Sequence, residues 1–338
     1  MTDPAVFVTG ASGTVGASVV EELLARGSRV VAAVRPGGDP GRLPQGAVPR
    51  QFEFGATPAG HAEALQGVDR LFLMRPPPIE DVRTYLFPLI DAAVATNLTQ
   101  IVFLSLQGVQ GNRKTPHHAV EQYLRQVGAP YTFLRPNFFM QNLSTTYRVG
   151  IRDHGEIFLP AGRSRTAFID ARDIGRVAAV VLTESGHTGK AYTLSGEQSI
   201  SYRNVAEILS GVLRRPIRYN RPSESEYLAR LAADGQPPDY IDVQKMIYRI
   251  VRWNISAFPN RQVRMLTGRP ATTFHQFATD YRAVWEQGVP DFMPRSSWWK
   301  DKIQAEKVPG RGPAYGPLAR PSISPAWRSL TTLSSATI

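Results

Sequence analysis

A connection that carries three glycines, Gly10, Gly13 and Gly16, constrains the fold more than any other part of the sequence. The apolar run Val6–Thr9 precedes it with the pattern of a buried strand, and from Val15 onward apolar residues recur at helical spacing. In such a turn the first glycine permits the bend, the second lets a ligand approach the backbone, and the third lets the helix pack closely. The free N–H groups and the helix dipole favour a phosphate. The sequence therefore predicts a pyrophosphate-binding turn after the first strand of a Rossmann-type fold.

The predicted phosphate site consists of this turn and the residues beside it. Its members are Thr9, Gly10, Ser12, Gly13, Thr14, Val15 and Gly16. At the end of the second predicted strand stands Arg35, where an NAD-binding chain usually has a carboxylate for the ribose hydroxyl. A guanidinium suits a 2′-phosphate, so NADP(H) is the expected cofactor and NAD(H) is less favoured. The alternative is that Arg35 is only an exposed surface residue.

Short β-branched runs alternate with helical segments as far as about residue 136, which is typical of a doubly wound parallel sheet. The predicted strands are Val6–Thr9, Arg29–Val34, Gln51–Phe54, Arg70–Met74, Ile101–Ser105 and Tyr131–Leu134, with helices at Tyr85–Thr96 and Pro116–Val127. Beyond Pro136 the alternation is irregular. The predicted elements there are the strand Ala191–Leu194 and the helices Ile174–Leu182, Tyr202–Leu213, Glu224–Ala233, Asp239–Val251 and Phe274–Trp285.

These patterns predict an α/β protein, a Rossmann doubly wound parallel sheet with a smaller α/β C-terminal substrate lobe. We expect an NAD(P)-binding core over residues 1–136 and a substrate-covering lobe over 137–287 that is interleaved with the core. The final stretch, 288–338, is rich in Pro, Gly and basic residues, and we expect it to be a poorly ordered tail.

Composition excludes several function classes. The chain has no cysteine, and its six histidines lack the spacing of metal ligands, so no metal site is expected. The formal charge of +11 is spread thinly along the chain, which argues against a nucleic-acid partner. No apolar run approaches the roughly 18 residues that a membrane span needs, and no secretory leader opens the sequence. We therefore expect a soluble, cytoplasmic protein without a membrane partner.

Four later stretches, Tyr131–Asn142, Phe168–Ala179, Gly189–Gly196 and Ile200–Ala206, resemble signature segments of the NmrA-like family of atypical short-chain dehydrogenase/reductases. The GxxGxxG spacing of the turn is also similar to that of the extended and atypical members, and the resemblance runs from residue 5 to about 286. It implies a cofactor that lies across the carboxyl edge of the sheet. Outside the turn, the implied cofactor contacts are Arg35, Met74, Arg75, Pro76, Ser105, His117, Pro136, Asn137 and Phe138.

The resemblance breaks at the catalytic pair. Typical short-chain dehydrogenases pair a tyrosine with a lysine that lowers the tyrosine pKa. Here Arg113 and His117 stand at those two positions. His117 matches the residue found in related NmrA-like sequences, and we predict that it binds ribose hydroxyls or relays a proton near neutral pH. With Ser105 it forms the predicted catalytic set; the alternatives are a helix-start histidine that meets solvent and a hydroxyl that only ends a strand.

Four side chains are predicted to contact the substrate or to belong to the lobe core: Gln107, Phe138, Phe139 and Met140. The aromatic residues among them would suit a flat acceptor. Without a dedicated acid, a quinone-like substrate is easier to reduce than a simple ketone, because positioning alone carries most of the reaction. We therefore predict an NADPH-dependent reductase of quinone-like or conjugated carbonyl small molecules. A non-catalytic NADP(H)-binding sensor and a biosynthetic tailoring enzyme stay open as alternatives, as does assembly into a homo-oligomer.

Overall fold

The computed structural model describes residues 5–286. Its strands are β1 (Ala5–Val8), β2 (Arg29–Val34), β3 (Val48–Gln51), β4 (Arg70–Met74), β5 (Gln100–Leu104), β6 (Tyr131–Pro136), β7 (Glu156–Phe158), β8 (Arg165–Thr166), β9 (Lys190–Leu194), β10 (Ile200–Ser201) and β11 (Arg218–Asn220). Its helices are α1 (Thr14–Ala25), α2 (Pro58–Ala64), α3 (Val82–Tyr85), α4 (Phe87–Ala95), α5 (Pro116–Gln126), α6 (Gln141–Ser144), α7 (Arg148–His154), α8 (Ala171–Thr183), α9 (Tyr202–Leu213), α10 (Glu224–Ala233), α11 (Pro238–Arg252), α12 (Gln262–Thr267) and α13 (Phe274–Asp280). The tail predicted over 288–338 lies outside the described residues.

Seven parallel strands form the central sheet in the order β3-β2-β1-β4-β5-β6-β9. The strand order reverses between β1 and β4, so the carboxyl ends of these two strands flank a crevice. In open α/β sheets this switch point is where ligands bind. The predicted fold class, a Rossmann doubly wound sheet, is confirmed.

Alternation along β1 divides the core into two layers. Val6 and Val8 pack with α1 and α8 on one face, and Phe7 packs with α4 and α5 on the other. Helices α1 and α8 cross closely at Gly175, where a Cβ would lie 2.7 Å from the backbone carbonyl of Ser18. A larger residue there would push the two helices apart.

The residues after β6 alternate between the sheet and a second core. Helix α8 covers the sheet and β9 extends it, whereas α6, α7, α9, α10, α11 and α13 surround a separate apolar cluster. Trp285 is fully buried in that cluster, and its indole N–H donates to the carbonyl of Leu143 at 3.0 Å. The segment predicted to be a lobe therefore also supplies one strand and one covering helix to the sheet. Between residues 5 and 286, no helix is both long enough and apolar enough to cross a membrane.

The third strand was predicted three residues too late. The aromatic residues Phe52 and Phe54 follow β3 instead of forming it, and Phe52 packs edge-on against Phe7 with the ring centroids 5.4 Å apart. Strand β3 is mostly exposed and contains Pro49. Because it is the edge strand of the sheet, it accommodates a residue without an N–H and has no need for an apolar pattern. Two predicted helices are also divided, at Leu86 into α3 and α4 and at Tyr281 into α13 and a 3-10 turn.

Candidate dinucleotide-binding site

The glycine turn has the geometry that its spacing predicts. Gly10 has a φ of +65°, and a Cβ built on it would lie 2.2 Å from Cε of Met74. A Cβ on Gly16 would lie 2.0 Å from the carbonyl oxygen of Gly10, so the third glycine lets the helix press on the turn itself. Gly13 has an extended backbone that any residue adopts, and its Cβ would be 3.2 Å from the same oxygen. The turn requires Gly10 and Gly16, whereas Gly13 tolerates a side chain after a small shift.

The N-terminus of α1 is open to a ligand. Gly13 caps the helix without a side-chain hydrogen bond, and the first turn contains no acidic residue. Ser12, Gly13 and Thr14 are exposed, whereas Val15 and Gly16 are buried. Uncapped N–H groups at the positive end of a helix, with no Cβ above them, fit the two phosphates of a dinucleotide.

Thr9 holds the edge of the crevice together. It is fully buried, its hydroxyl accepts the backbone N–H of Met74 at 2.8 Å, and it lies 3.1 Å from the carbonyl of Phe72, to which it donates. These bonds tie the end of β1 to the end of β4. The side chain predicted to contact the cofactor is therefore engaged with the protein, and its role is to position the turn.

Arg35 borders a cavity of about 360 Å³ whose lining also includes Pro36, Gly37, Gly38 and Glu53. The carbonyl of Arg35 accepts the N–H of Gly38 at 2.8 Å, which closes a tight turn beyond β2. The guanidinium is exposed and makes no hydrogen bond to the described residues. A free guanidinium beside an open cavity at the end of β2 suits the 2′-phosphate of an adenosine ribose.

Arg75 secures the proline-rich loop that follows β4. Its Nη1 donates to the carbonyls of Pro76, Pro77 and Ile79 at 3.1, 2.9 and 2.7 Å. Its Nε is buried and has no partner among the described residues. Arg75 and Pro76, both predicted cofactor contacts, thus form a rigid loop next to the crevice.

His117 lies in the first turn of α5, whose N-terminus is capped by the hydroxyl of Thr115. Burial, and secondly the neighbouring Arg75 cation, lower the pKa of His117 to about 3. The imidazole is therefore neutral at neutral pH and offers one N–H donor and one acceptor. A neutral ring suits the predicted binding of ribose hydroxyls, and the predicted proton relay would have to operate through the neutral imidazole.

Ser105, the other predicted catalytic residue, belongs to a buried charge network. Its hydroxyl donates to Glu121 Oε1 at 2.7 Å, and Arg135 donates to both oxygens of the same carboxylate at 2.9 and 2.6 Å. All three residues are buried. In this structure the serine proton is therefore directed at Glu121, and the catalytic role of Ser105 stays a prediction. The network fixes the end of β5 and the helix that carries His117.

Gln107 and Asn137, which follow β5 and β6, bind a segment from much later in the chain. Nδ2 of Asn137 donates to the carbonyl of Ser256 at 2.8 Å, and Nε2 of Gln107 reaches the carbonyl of Ile255 at 3.5 Å. Oε1 of Gln107 is buried without a partner among the described residues. Asn137 is thus a structural anchor, and Gln107 keeps one unsatisfied acceptor.

The aromatic stretch after β6 is divided between the two cores. Met140 is buried and lines, with Phe168 and Phe274, a separate cavity of about 190 Å³ in the lobe. Phe139 packs against the core around α1 and α8, and Phe138 is half-buried against the lobe core. Phe138 and Phe139 are both half-buried, whereas Met140 is buried. Pro136, the last residue of β6, is buried.

Sequence reasoning missed the buried acidic residues that join separate segments of the fold. Asp170 caps α8 and accepts Nε2 of Gln141 at 2.7 Å, and Asp173 binds Thr272 and Arg176. Burial raises the pKa of Asp173. A signal existed for Asp170, because an aspartate directly before an apolar helical run is typical of an N-cap. Glu121 and Arg135 gave a weaker signal as charges within buried segments.

Taken together, the sheet, the open glycine turn and the cavity at Arg35 define a nucleotide-binding protein of the Rossmann class. The model of the NmrA-like family matches residues 2–254, and the chain belongs to that family. The resemblance to this family, predicted from the four signature stretches, is confirmed.

Two curated relatives align over most of their length. The NAD(P)H azoreductase of Xenophilus azovorans is 32% identical over 285 residues, which are 82% of this chain and 98% of that protein. The (4-alkanoyl-5-oxo-2,5-dihydrofuran-3-yl)methyl phosphate reductase of Streptomyces griseus is also 32% identical, with 82% and 97% covered.

The NADPH-dependent quinone oxidoreductase of Escherichia coli, solved with NADPH, is a structural neighbour. Its TM-score is 0.73 at 26% identity, and the match covers 81% of this chain and 99% of that one. The NAD(P)H of the azoreductase and the NADPH of the quinone oxidoreductase agree with the predicted cofactor, NADP(H).

Proposed function

We propose that this protein is an NADPH-dependent reductase of flat, conjugated small molecules, with quinone-like compounds as the leading class. The observation that carries the proposal is the phosphate cradle at Gly10–Gly16 with the cavity at Arg35. The azoreductase and the quinone oxidoreductase, whose names include NAD(P)H and NADPH, support it, because this chain aligns with 98% and 99% of their lengths.

The cofactor, when bound, supplies a hydride at the nicotinamide. The protein's residues do the rest. The turn between Gly10 and Gly16 and the start of α1 bind the pyrophosphate, and Arg35 recognises the 2′-phosphate. The neutral ring of His117 binds a ribose hydroxyl, and the loop held by Arg75 closes the same edge.

The state of the predicted catalytic groups bears on the acceptor. His117 is uncharged at neutral pH and Ser105 donates to Glu121, so neither is a strong acid for a ketone. A quinone accepts the hydride and one net proton, which water can supply, and becomes an aromatic hydroquinone, so it needs positioning more than acid catalysis. This favours quinones and related conjugated acceptors over isolated carbonyls.

The test is steady-state oxidation of NADPH and NADH with a panel of quinones, an azo dye and a simple ketone, beside calorimetric titration of both oxidised cofactors. We expect turnover with quinones, little with the ketone, and tighter binding of NADP⁺ than of NAD⁺. Tight NADP⁺ binding without oxidation of NADPH by any acceptor would overturn the reductase and favour a sensor. The sensor is the second candidate, and it is favoured by the hydrogen bond from Ser105 to Glu121 and by the neutral ring of His117.

A further inference from the structure

Residues 253–258, here named the strap, cross the carboxyl edge of the sheet. The carbonyl of Ser256 accepts from Asn137 and from the backbone N–H of Ala167, both at 2.8 Å, and its buried hydroxyl pairs with that of Thr166 at 3.3 Å. The carbonyl of Ile255 faces Nε2 of Gln107. The strap backbone is therefore fixed to the residues that follow β5 and β6.

Three large apolar side chains of the strap are exposed to solvent. Trp253 and Phe258 are each 71% exposed, and Ile255 is 44% exposed. Asn254 between them has a φ of 57°, and its Oδ1 accepts the backbone N–H of Arg165 at 2.9 Å, which holds the bend open. Three large exposed apolar side chains within six residues of an anchored backbone favour a binding role for this segment.

The position of the strap beside the residues that follow β5 and β6 indicates which ligand it binds. In a sheet of this order the phosphate turn follows β1 and the adenosine end lies towards β2, so the nicotinamide end lies over β4, β5 and β6. Each exposed strap residue is within three residues of Ser256, roughly 11 Å of extended chain. The half-buried ring of Phe138 follows the anchor Asn137 directly. Apolar residues thus follow and precede the strap carbonyls that are anchored beside β5 and β6.

We propose that the strap is the acceptor-recognition element, with Trp253, Ile255 and Phe258 as the residues that set specificity for planar aromatic molecules. This rests on the proposed reductase function. Flat conjugated rings stack on Trp253 and Phe258, and Ile255 packs against their edge. Nε2 of Gln107 reaches the carbonyl of Ile255, and its unsatisfied Oε1 accepts a hydrogen bond from a hydroxyl of the reduced, hydroquinone form of the ligand.

The experiment compares Trp253→Ala, Ile255→Ala, Phe258→Ala and the triple variant with Val149→Ala, a matched loss of an exposed apolar side chain on α7. We expect each aromatic variant to raise the KM for menadione by about three- to tenfold, the scale of one stacking contact, with kcat and NADPH affinity unchanged. The triple variant should raise the KM further, and Val149→Ala should behave as the wild type.

A second measurement separates this proposal from the reductase function. Calorimetric binding of menadione to protein saturated with NADP⁺ involves no turnover. Weaker binding in the strap variants supports the strap even if the wild type reduces nothing. Unchanged KM and unchanged menadione affinity in the triple variant overturn it. Dissociation of an oligomer in sedimentation, with menadione affinity unchanged, would make the strap an interface between copies and also overturn it.

Discussion

The polar groups over β1 and β2 differ from those over β5 and β6 in what they already bind. At the first pair, the helix start at Gly13 is uncapped and the Arg35 guanidinium is free of the described residues. At the second pair, Ser105 and Asn137 are hydrogen-bonded to the protein itself. The groups at the first pair are therefore free to bind the phosphates of a cofactor, whereas those at the second pair hold the protein's own backbone. On the proposal above, contact with an acceptor is made by the apolar residues of the strap.

The largest expected effect is the loss of cofactor binding at the turn that follows β1. Gly13→Val places two methyl groups where the pyrophosphate packs, so we expect NADP⁺ binding to fall below detection in calorimetry. The fold should persist, because Gly13 has an ordinary extended backbone. Gly211→Val, in open space on α9, is the control for added bulk. Near-normal binding by the Gly13 variant would show that the phosphates lie elsewhere.

Removing the buried carboxylate of Glu121 tests the hydrogen-bonded groups at the ends of β5 and β6. Glu121→Ala leaves the buried cation of Arg135 without its partner, and we expect a loss of about 3–5 kcal/mol in the free energy of unfolding. Glu207→Ala, which removes an exposed partner of Arg203, should cost less than about 1 kcal/mol. Urea denaturation measures both. A Glu121 variant as stable as the control would mean that the network does not hold this edge.

Cofactor preference sharpens the comparison. Arg35→Ala should weaken NADP⁺ binding by about 1.5–3 kcal/mol, the scale of a charge-assisted contact, and leave NAD⁺ binding nearly unchanged. Arg42→Ala removes another exposed cation nearby in the chain and should alter neither. Equal losses for the two cofactors in the Arg35 variant would contradict recognition of the 2′-phosphate.

The smallest effect concerns His117. Because its pKa is about 3, the ring is neutral above that pH and protonates only as the pH falls towards it. We expect no His117-dependent inflection in kcat/KM between about pH 5 and 8. His117→Ala removes the proposed contact to a ribose hydroxyl, so we expect NADPH binding to weaken by about 0.5–1.5 kcal/mol and turnover of the saturated enzyme to fall by less than about tenfold. An inflection near pH 6.5 that disappears in the variant would show that the ring charges during turnover.

The sequence predicted the parts of the fold that local pattern determines. The Gly10–Gly16 turn, β1, β2, β4 and the start of α5 at Pro116 follow from periodicity and turn chemistry, and each lies close to its predicted bounds. The edge strand β3 escaped because an exposed strand has no apolar alternation. Its aromatic neighbours carried the stronger strand pattern.

The candidate site was predictable only where the backbone does the binding. Glycine spacing shows directly where a Cβ is forbidden, so the turn could be inferred. The partners of Ser105 and Asn137 are 16 and 119 residues away, and no local pattern encodes such pairings. The neutral state of His117 likewise depends on burial and on Arg75, which are products of the tertiary fold.

The late arrival of β9 imposes an order on folding during synthesis. Strand β6 ends at Pro136, yet its neighbour in the sheet is made only when Lys190–Leu194 emerges from the ribosome. Until then β6 lacks its neighbour β9, and the surface of α1 that packs against Gly175 of α8 is exposed. A nascent chain of about 140 residues therefore exposes an unpaired strand edge and an uncovered apolar sheet face, both of which favour aggregation. Rare codons between residues 137 and 194 would lengthen that exposure and lower the soluble yield.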